Sequence, residues 1–188
     1  MRRLKKLHEA LNDPQVEVWF ADEVHFHRTT TITRMWALKG RQPQLPSKPG
    51  REKIGYYGAV NPITGQLFVR QAYTFNSNTC GSFLEEFMVA RGTEAPGVKV
   101  VMVADNASWH KRPMRLLAER WPERFVVLYL PPYSPDLKVI ERVWRLTRRV
   151  CTHNKYFDRL DDMAATLLGF FMAHAEPNDT LRTLCAII

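Results

Sequence analysis

Apolar and polar positions along the chain follow two different rhythms, with the change near residue 75. Residues 1–13 are charged and helix-prone, with Leu4 and Leu11 set among basic residues, and Asp13-Pro14 ends the segment. Val16-Glu17-Val18-Trp19-Phe20-Ala21-Asp22 is a β-rich run closing on an acid and predicts a first strand. Thr29 to Leu38 is a second run rich in Thr, Ile and Trp. A loop dense in Pro, Gly and Lys, from Lys39 to Arg51, separates it from the strand Lys53 to Val60. Asn61-Pro62-Ile63-Thr64-Gly65 is a hairpin turn signal leading back into a strand over Gln66 to Arg70.

Beyond that hairpin the spacing lengthens. Apolar residues at 83, 84, 87 and 88 predict a helix over Ser82 to Arg91. Val98 to Ala104 is almost continuously apolar, the pattern of a strand buried on both faces. Pro113 to Arg120 reads as a helix with proline in its first turn, Phe125 to Leu130 as a second buried strand, and 135–150 and 158–174 as two further helices. An antiparallel meander followed by α-β-α-β-α-α predicts an α/β domain with a mixed sheet. That domain spans 15–175, between a basic N-terminal arm (1–14) and a C-terminal tail (176–188).

Composition narrows the class without naming the function. With 188 residues the chain can bury a full core, and 45% hydrophobic against 24% charged residues excludes wholesale disorder. Three scattered cysteines support neither a disulfide scaffold nor a zinc knuckle, so a reducing, cytoplasmic setting is expected. No apolar run approaches the roughly 18 residues of a membrane span, so no membrane partner is expected. The 27 Lys+Arg against 19 Asp+Glu leave a net charge of +8, which favours a polyanionic partner such as nucleic acid.

Three acids stand where chemistry is done. Asp22 closes the first strand, Asp105 closes the buried strand 98–104, and Glu141 lies on the helix after Leu130-Pro131-Pro132-Tyr133-Ser134-Pro135-Asp136. In open α/β sheets ligands bind at the carboxyl ends of strands. A strand-end aspartate taken singly is usually a turn former or helix cap. Converged, the three would repel one another unless a divalent cation lay among them, and hard oxygen donors select Mg²⁺ or Mn²⁺. Two such ions activate an attacking water or hydroxyl and stabilise the leaving oxygen of a phosphodiester.

The words around these acids carry a resemblance. Phe20-Ala21-Asp22-Glu23-Val24-His25-Phe26, Gly58-Ala59-Val60-Asn61-Pro62-Ile63-Thr64-Gly65, Asp105-Asn106-Ala107-Ser108-Trp109-His110, the Pro-Pro-Tyr-Ser-Pro-Asp-Leu block at 131–137 and Ile140-Glu141-Arg142-Val143-Trp144 come in that order. The chain resembles, over about 15–175, the catalytic domain of bacterial insertion-sequence transposases related to the mariner group, the DDE superfamily endonucleases. The spacing between Asp105 and Glu141 is close to that family's usual gap. The resemblance implies a ribonuclease-H-like fold with a mixed five-stranded sheet flanked by helices. It implies two-metal cutting and joining of double-stranded DNA at transposon ends, with Asp22, Asp105 and Glu141 as catalytic metal ligands and two Mg²⁺ (or Mn²⁺) ions as cofactors. It also implies a homodimer in the active complex and a helix-turn-helix DNA-recognition part, which residues 1–13 are too short to supply. Alternatives are a catalytically inactive DNA-binding remnant, or a host-adopted ribonuclease-H-like nuclease that cuts without joining.

One departure stands out. Where the family shows Asn-Pro before Ile-Glu, this chain has Lys138-Val139. Asn caps a helix and Pro suits its first position; Lys and Val do neither. Ser134-Pro135-Asp136 can start the helix a turn earlier instead. Around the acids, His110 is expected to touch DNA phosphate or orient a carboxylate, and Asn106 to cap the next turn or support the metal pocket. Glu23 points away from Asp22 if both are in strand. His25 and His27 share a face, but with no Cys or third His nearby they make no zinc site. Arg145, Arg148 and Arg149 fall on one helical face with Glu141, and with Arg142 they are expected to contact DNA phosphate, as are Lys39 and Arg41 of the 39–51 loop. Ile140, Val143, Trp144, Thr147 and Val150 form the opposite, core stripe.

Overall fold

A computed structural model of the chain describes residues 2–47, 49–131 and 138–187. Its centre is β1 (Val16–His27), a 12-residue strand apolar enough on both sides to be covered twice. β2 (Lys53–Val60) and β3 (Leu67–Ala72) continue from it as the expected antiparallel meander. β4 (Lys99–Ala104) and β5 (Phe125–Tyr129) add in parallel on its other side, giving the order β3-β2-β1-β4-β5. This is the mixed five-stranded sheet that the pattern predicts.

The period of two in β1 divides the core. Val18, Phe20, Val24 and Phe26 face one layer, packed by α1 (Arg2–Leu11), α4 (Val139–Thr147), α5 (Leu160–Ala173) and α6 (Asp179–Cys185). Trp19 and Ala21 face the other, packed by α2 (Ser77–Glu94) and α3 (Ser108–Arg120). α2 starts earlier than its apolar spacing suggests because Asn76 makes a capping box: its side chain accepts the N–H groups of Asn78 and Thr79, and Thr79 Oγ1 accepts the Asn76 N–H.

The Thr29 to Leu38 run, left without an assigned element by its sequence, joins no strand of the sheet, and Thr31 makes an isolated bridge to His153. The whole excursion between β1 and β2 is held at its base instead, where buried Arg28 pairs with Glu52 and donates to the Phe157 carbonyl. Several expectations are corrected. α3 begins at Ser108, so Pro113 lies inside it rather than in its first turn. α4 begins at Val139, with Lys138 as an N-cap residue whose side chain makes no cap hydrogen bond. The alternative start at Ser134-Pro135-Asp136 lies outside the described residues. α4 passes into a π-helical turn, Arg148–Thr152. That wider turn shifts the helical phase, so Val150 is 46% exposed while Cys151 and Thr152 are buried. The 176–188 stretch expected as a tail contains α6, whose Leu181 and Cys185 are fully buried beside α4. Leu7 of the basic arm is buried in the same layer.

One glycine sets how closely α4 approaches the sheet. Gly58 of β2 pairs with Asp22, and a Cβ there would lie 2.4 Å from Cη2 of the buried Trp144 ring. The Gly58→Ala variant is therefore expected to lose about 1–3 kcal/mol by overpacking. Denaturant unfolding measures this, and an unchanged midpoint would mean that the Trp144 ring moves aside at no cost.

Candidate active site where a parallel strand pair ends

Asp105 directly follows the end of β4, whereas Asp22, expected to close its strand, lies inside β1, which runs on to His27 paired with β2. Parallel pairing brings the two acids together where the β1–β4 ladder stops. Phe20 stands opposite Val103, so Asp22 and Asp105 follow two residues later in the same alternation, on the α4 face of the sheet. Lys138, immediately before α4, joins them. Its Nζ donates to Asp105 Oδ2 at 2.9 Å and lies 3.9 Å from Asp22 Oδ1. The other Asp105 oxygen, Oδ1, accepts the Ala107 N–H at 2.9 Å and faces His110 Nδ1 at 3.0 Å. His110 is only 3% exposed, and its Nε2 stands 3.0 Å from Glu23 Oε2.

The charges follow from this geometry. Burial pushes the Asp22 carboxyl up to about 7; Lys138 opposes that, while Glu23 and Asp105 reinforce it. The His110 hydrogen bond holds Asp105 well below the usual carboxylate range, against its burial and with help from the Ala107 N–H and Lys138. Burial alone would lower His110, but its bonds to Asp105 and Glu23 prevail and carry it up to about 9. At neutral pH it is an imidazolium donating from both ring nitrogens. Burial also works against the Lys138 ammonium, yet Asp105 and Asp22 raise it.

Glu141 is exposed on the first turn of α4, with no ion pair or side-chain hydrogen bond among the described residues. Among those residues no three His, Cys, Asp or Glu side chains form a group able to hold a metal ion. Asp22 and Asp105 themselves fit a cation, since the ammonium of Lys138 already stands between them. His110 is no phosphate contact, because both its nitrogens are engaged; it orients a carboxylate. Asn106 does not cap α3 either: its Nδ2 donates to the Leu130 carbonyl at 2.7 Å and ties the exit of β4 to the exit of β5. Glu23 lies on the opposite face from Asp22, as alternation requires, yet reaches the site through His110.

The arginines lie in one groove. A cavity of about 660 Å³ is lined by Arg34, Arg142, Arg145, Arg148, Arg149 and His153, among others. Arg142 spends hydrogen bonds on the carbonyls of Leu184 and Ala186, and Arg148 lies over the Phe26 ring at 5.6 Å. Arg145 and Arg149 are exposed, as are Lys39 and Arg41 in the excursion between β1 and β2. Sequence reasoning missed two participants. The signal for Lys138 was a cation standing where a helix cap belongs. For Glu23 it was an acid adjacent to Asp22, with a histidine five residues past Asp105.

Residues 17–164 match the family described as DDE superfamily endonuclease. The chain is 26% identical over 154 residues to the "Insertion element IS630 uncharacterized 39 kDa protein" of Shigella sonnei, covering 81% of this chain and 44% of that protein. Its fold is similar to that in the "Mos1 transposase paired-end complex with left transposon end", with TM-score 0.72 and 17% identity over 98% of this chain and 57% of that one. It is also similar to that in the "Crystal structure of the mariner Mos1 paired end complex with Mg", with TM-score 0.69 and 18% identity over 98% of this chain and 58% of that one. The chain thus spans about half the length of these relatives, and the fold is the ribonuclease-H-like one implied by its motifs.

The electrostatics separate the two aspartates. Asp22→Asn removes a buried carboxyl whose ionisation is disfavoured, so it should leave the metal-free protein equally or more stable at pH 8. Asp105→Asn removes a carboxylate held by charged donors and should cost about 1.5–3 kcal/mol. His110, with its pKa raised from 6.5, contributes stability that is full below pH 6.5 and lost as pH rises through about 9. Thermal unfolding between pH 6 and 10 measures all three. Equal losses for the two aspartate variants, or a pH drop unchanged in His110→Asn, would contradict these assignments.

Proposed function

Since the chain belongs to the DDE superfamily endonucleases, we propose that it is the catalytic domain of an insertion-sequence transposase, cutting and joining DNA at the ends of a mobile element. The observation that carries this reading is the pair Asp22 and Asp105, side by side where the parallel β1–β4 ladder ends and sharing one cation. Glu141 completes the ligand set in this proposal, from the first turn of α4 just beyond Lys138. These acids would hold Mg²⁺ or Mn²⁺, probed as two ions, in keeping with the Mg in one Mos1 complex. When bound, such ions activate a water or hydroxyl for attack on phosphorus and stabilise the leaving oxygen.

The chain's own residues supply the setting. His110 and the Ala107 N–H fix the Asp105 carboxylate through Oδ1, and Glu23 fixes the His110 ring, which leaves Oδ2 directed toward Lys138 and the Asp22 side. The arginine groove along α4 offers phosphate contacts that carry no base information, so duplex DNA would be held here without being read. Sequence recognition then falls to a helix-turn-helix part outside this chain. A second copy of the domain would serve the second end, in keeping with the paired ends of the Mos1 complexes. No helix among the described residues is long and apolar enough to cross a membrane.

One observation favours a second reading, the catalytically inert DNA-binding remnant: Lys138 occupies the place of a cation, and among the described residues no three ligands close around it. Cleavage of pre-nicked transposon-end DNA in millimolar Mn²⁺ separates the two. Wild type should cut and Asp105→Asn should not; cutting that survives in Asp105→Asn would overturn the proposed site, and DNA binding without any cutting would favour the remnant.

The groove makes its own prediction. Each phosphate contact adds about 0.9 to the slope of log affinity against log salt for duplex DNA. Replacing exposed Arg145 and Arg149 with Ala should lower that slope by up to about 2, equally for random and transposon-end duplexes. A slope unchanged in the double variant, measured by fluorescence anisotropy, would remove these arginines from the DNA surface.

A further inference from the structure

We infer that Lys138 is a built-in counter-cation for the Asp22–Asp105 pair, and that this chain takes up divalent metal only by displacing it. The inference deepens the metal-site reading above and rests on it.

The geometry leaves little room for both. Mg²⁺ sits about 2.0–2.1 Å from its oxygen ligands and tolerates few departures from octahedral geometry. An ion shared by Asp22 and Asp105 would need the oxygens Asp105 Oδ2 and Asp22 Oδ1, the two that Lys138 Nζ faces at 2.9 and 3.9 Å. A divalent cation and an ammonium placed in one gap repel each other, so one must leave.

Lys138 is also built to leave. Its side chain is 31% exposed, so the ammonium has a path to solvent. Its side chain makes no capping hydrogen bond to α4, so withdrawing the ammonium breaks no cap. The other partners of Asp105 are unlike it: His110 is buried and the Ala107 N–H is part of the backbone. Lys138 is therefore the removable partner of Asp105. It also lies three residues before Glu141, at the start of the same helix, so movement that withdraws the ammonium occurs where the third proposed ligand is carried.

The test is direct Mn²⁺ binding to the metal-free full chain, followed by electron paramagnetic resonance of free Mn²⁺. Wild type is compared with Lys138→Gln, Lys138→Met and Lys138→Arg, each with and without Asp105→Asn. Glutamine and methionine both remove the charge, so one suffices if the other does not fold, and circular dichroism checks each. We expect Lys138→Gln and Lys138→Met to bind Mn²⁺ at least tenfold more tightly than wild type, Lys138→Arg to stay near wild type, and Asp105→Asn to abolish the gain. Mn²⁺ should also raise the melting temperature more in the neutral variants than in wild type. Asp105-dependent binding of equal strength in wild type and the neutral variants would overturn the role of Lys138 and leave the metal-site reading standing. Absence of Asp105-dependent binding from every variant would overturn both.

Discussion

Two carboxylates placed together where a pair of parallel strands parts repel each other, and the surrounding structure is arranged around the cations that hold them. At a protein surface unit charges about 4 Å apart interact by about 4 kcal/mol, enough to distort a strand end left unbalanced. The sheet meets this from both sides. On the α4 face Lys138 stands between Asp22 and Asp105; from the α3 side His110, made an imidazolium by Asp105 and Glu23, holds the second oxygen of Asp105. The imbalance that persists falls on Asp22, which burial pushes up to about 7 and for which Lys138, at 3.9 Å, is only a partial remedy.

The α4 side depends on a close approach that is steric rather than electrostatic. Gly58 is the cross-strand neighbour of Asp22, and its missing Cβ lets the Trp144 ring settle directly on β2. Trp144 packs edge-on against Phe26 and Phe171, which joins α4 to β1 and α5 in one aromatic layer. Buried Leu181 and Cys185 of α6 close that layer from the C-terminal side. The helix that begins beside Lys138 is thus fixed by apolar packing along its length, from buried Val139 and Ile140 onward, while the Lys138 side chain just before it is held by charge. Packing sets where α4 lies, and electrostatics set what its first residue touches.

The sequence made the fold legible because both periods are strong. The meander, the five strands and the helices up to α5 were readable from spacing, while α6 lay in a stretch read as a tail and β5 is mostly half-buried rather than buried. What stayed hidden depends on contacts distant in sequence or on local geometry without a composition signal. Thr29 to Leu38 has strand-like residues, but no neighbouring strand remains for it to pair with beyond the bridge at Thr31. The π-helical turn rotates Val150 out and Cys151 in, a phase change that a fixed 3.6-residue period cannot foresee. Lys138 read as a missing cap because local reasoning sees a helix start, whereas its partners are Asp105, 33 residues away, and Asp22. Glu23 was set aside correctly by face and still belongs to the site, because the buried His110 reaches around the strand end to both acids.

The two oxygens of Asp105 show how a strand end can be both rigid and exchangeable. Oδ1 is bound by groups the fold cannot withdraw: a backbone N–H at the start of α3, and a histidine buried between α3 and β1. Oδ2 is bound by the end of a long, partly exposed side chain rooted outside any helix. Rotation of the carboxylate would break the Oδ1 bonds, so exchange at Oδ2 leaves its orientation unchanged. A cation arriving there meets a preoriented lone pair, and the work of binding reduces to moving Lys138 and desolvating the ion. Fixing one oxygen with the core and lending the other to a mobile ammonium lets the site stay ordered without metal, because Lys138 already offsets part of the charge that metal would neutralise.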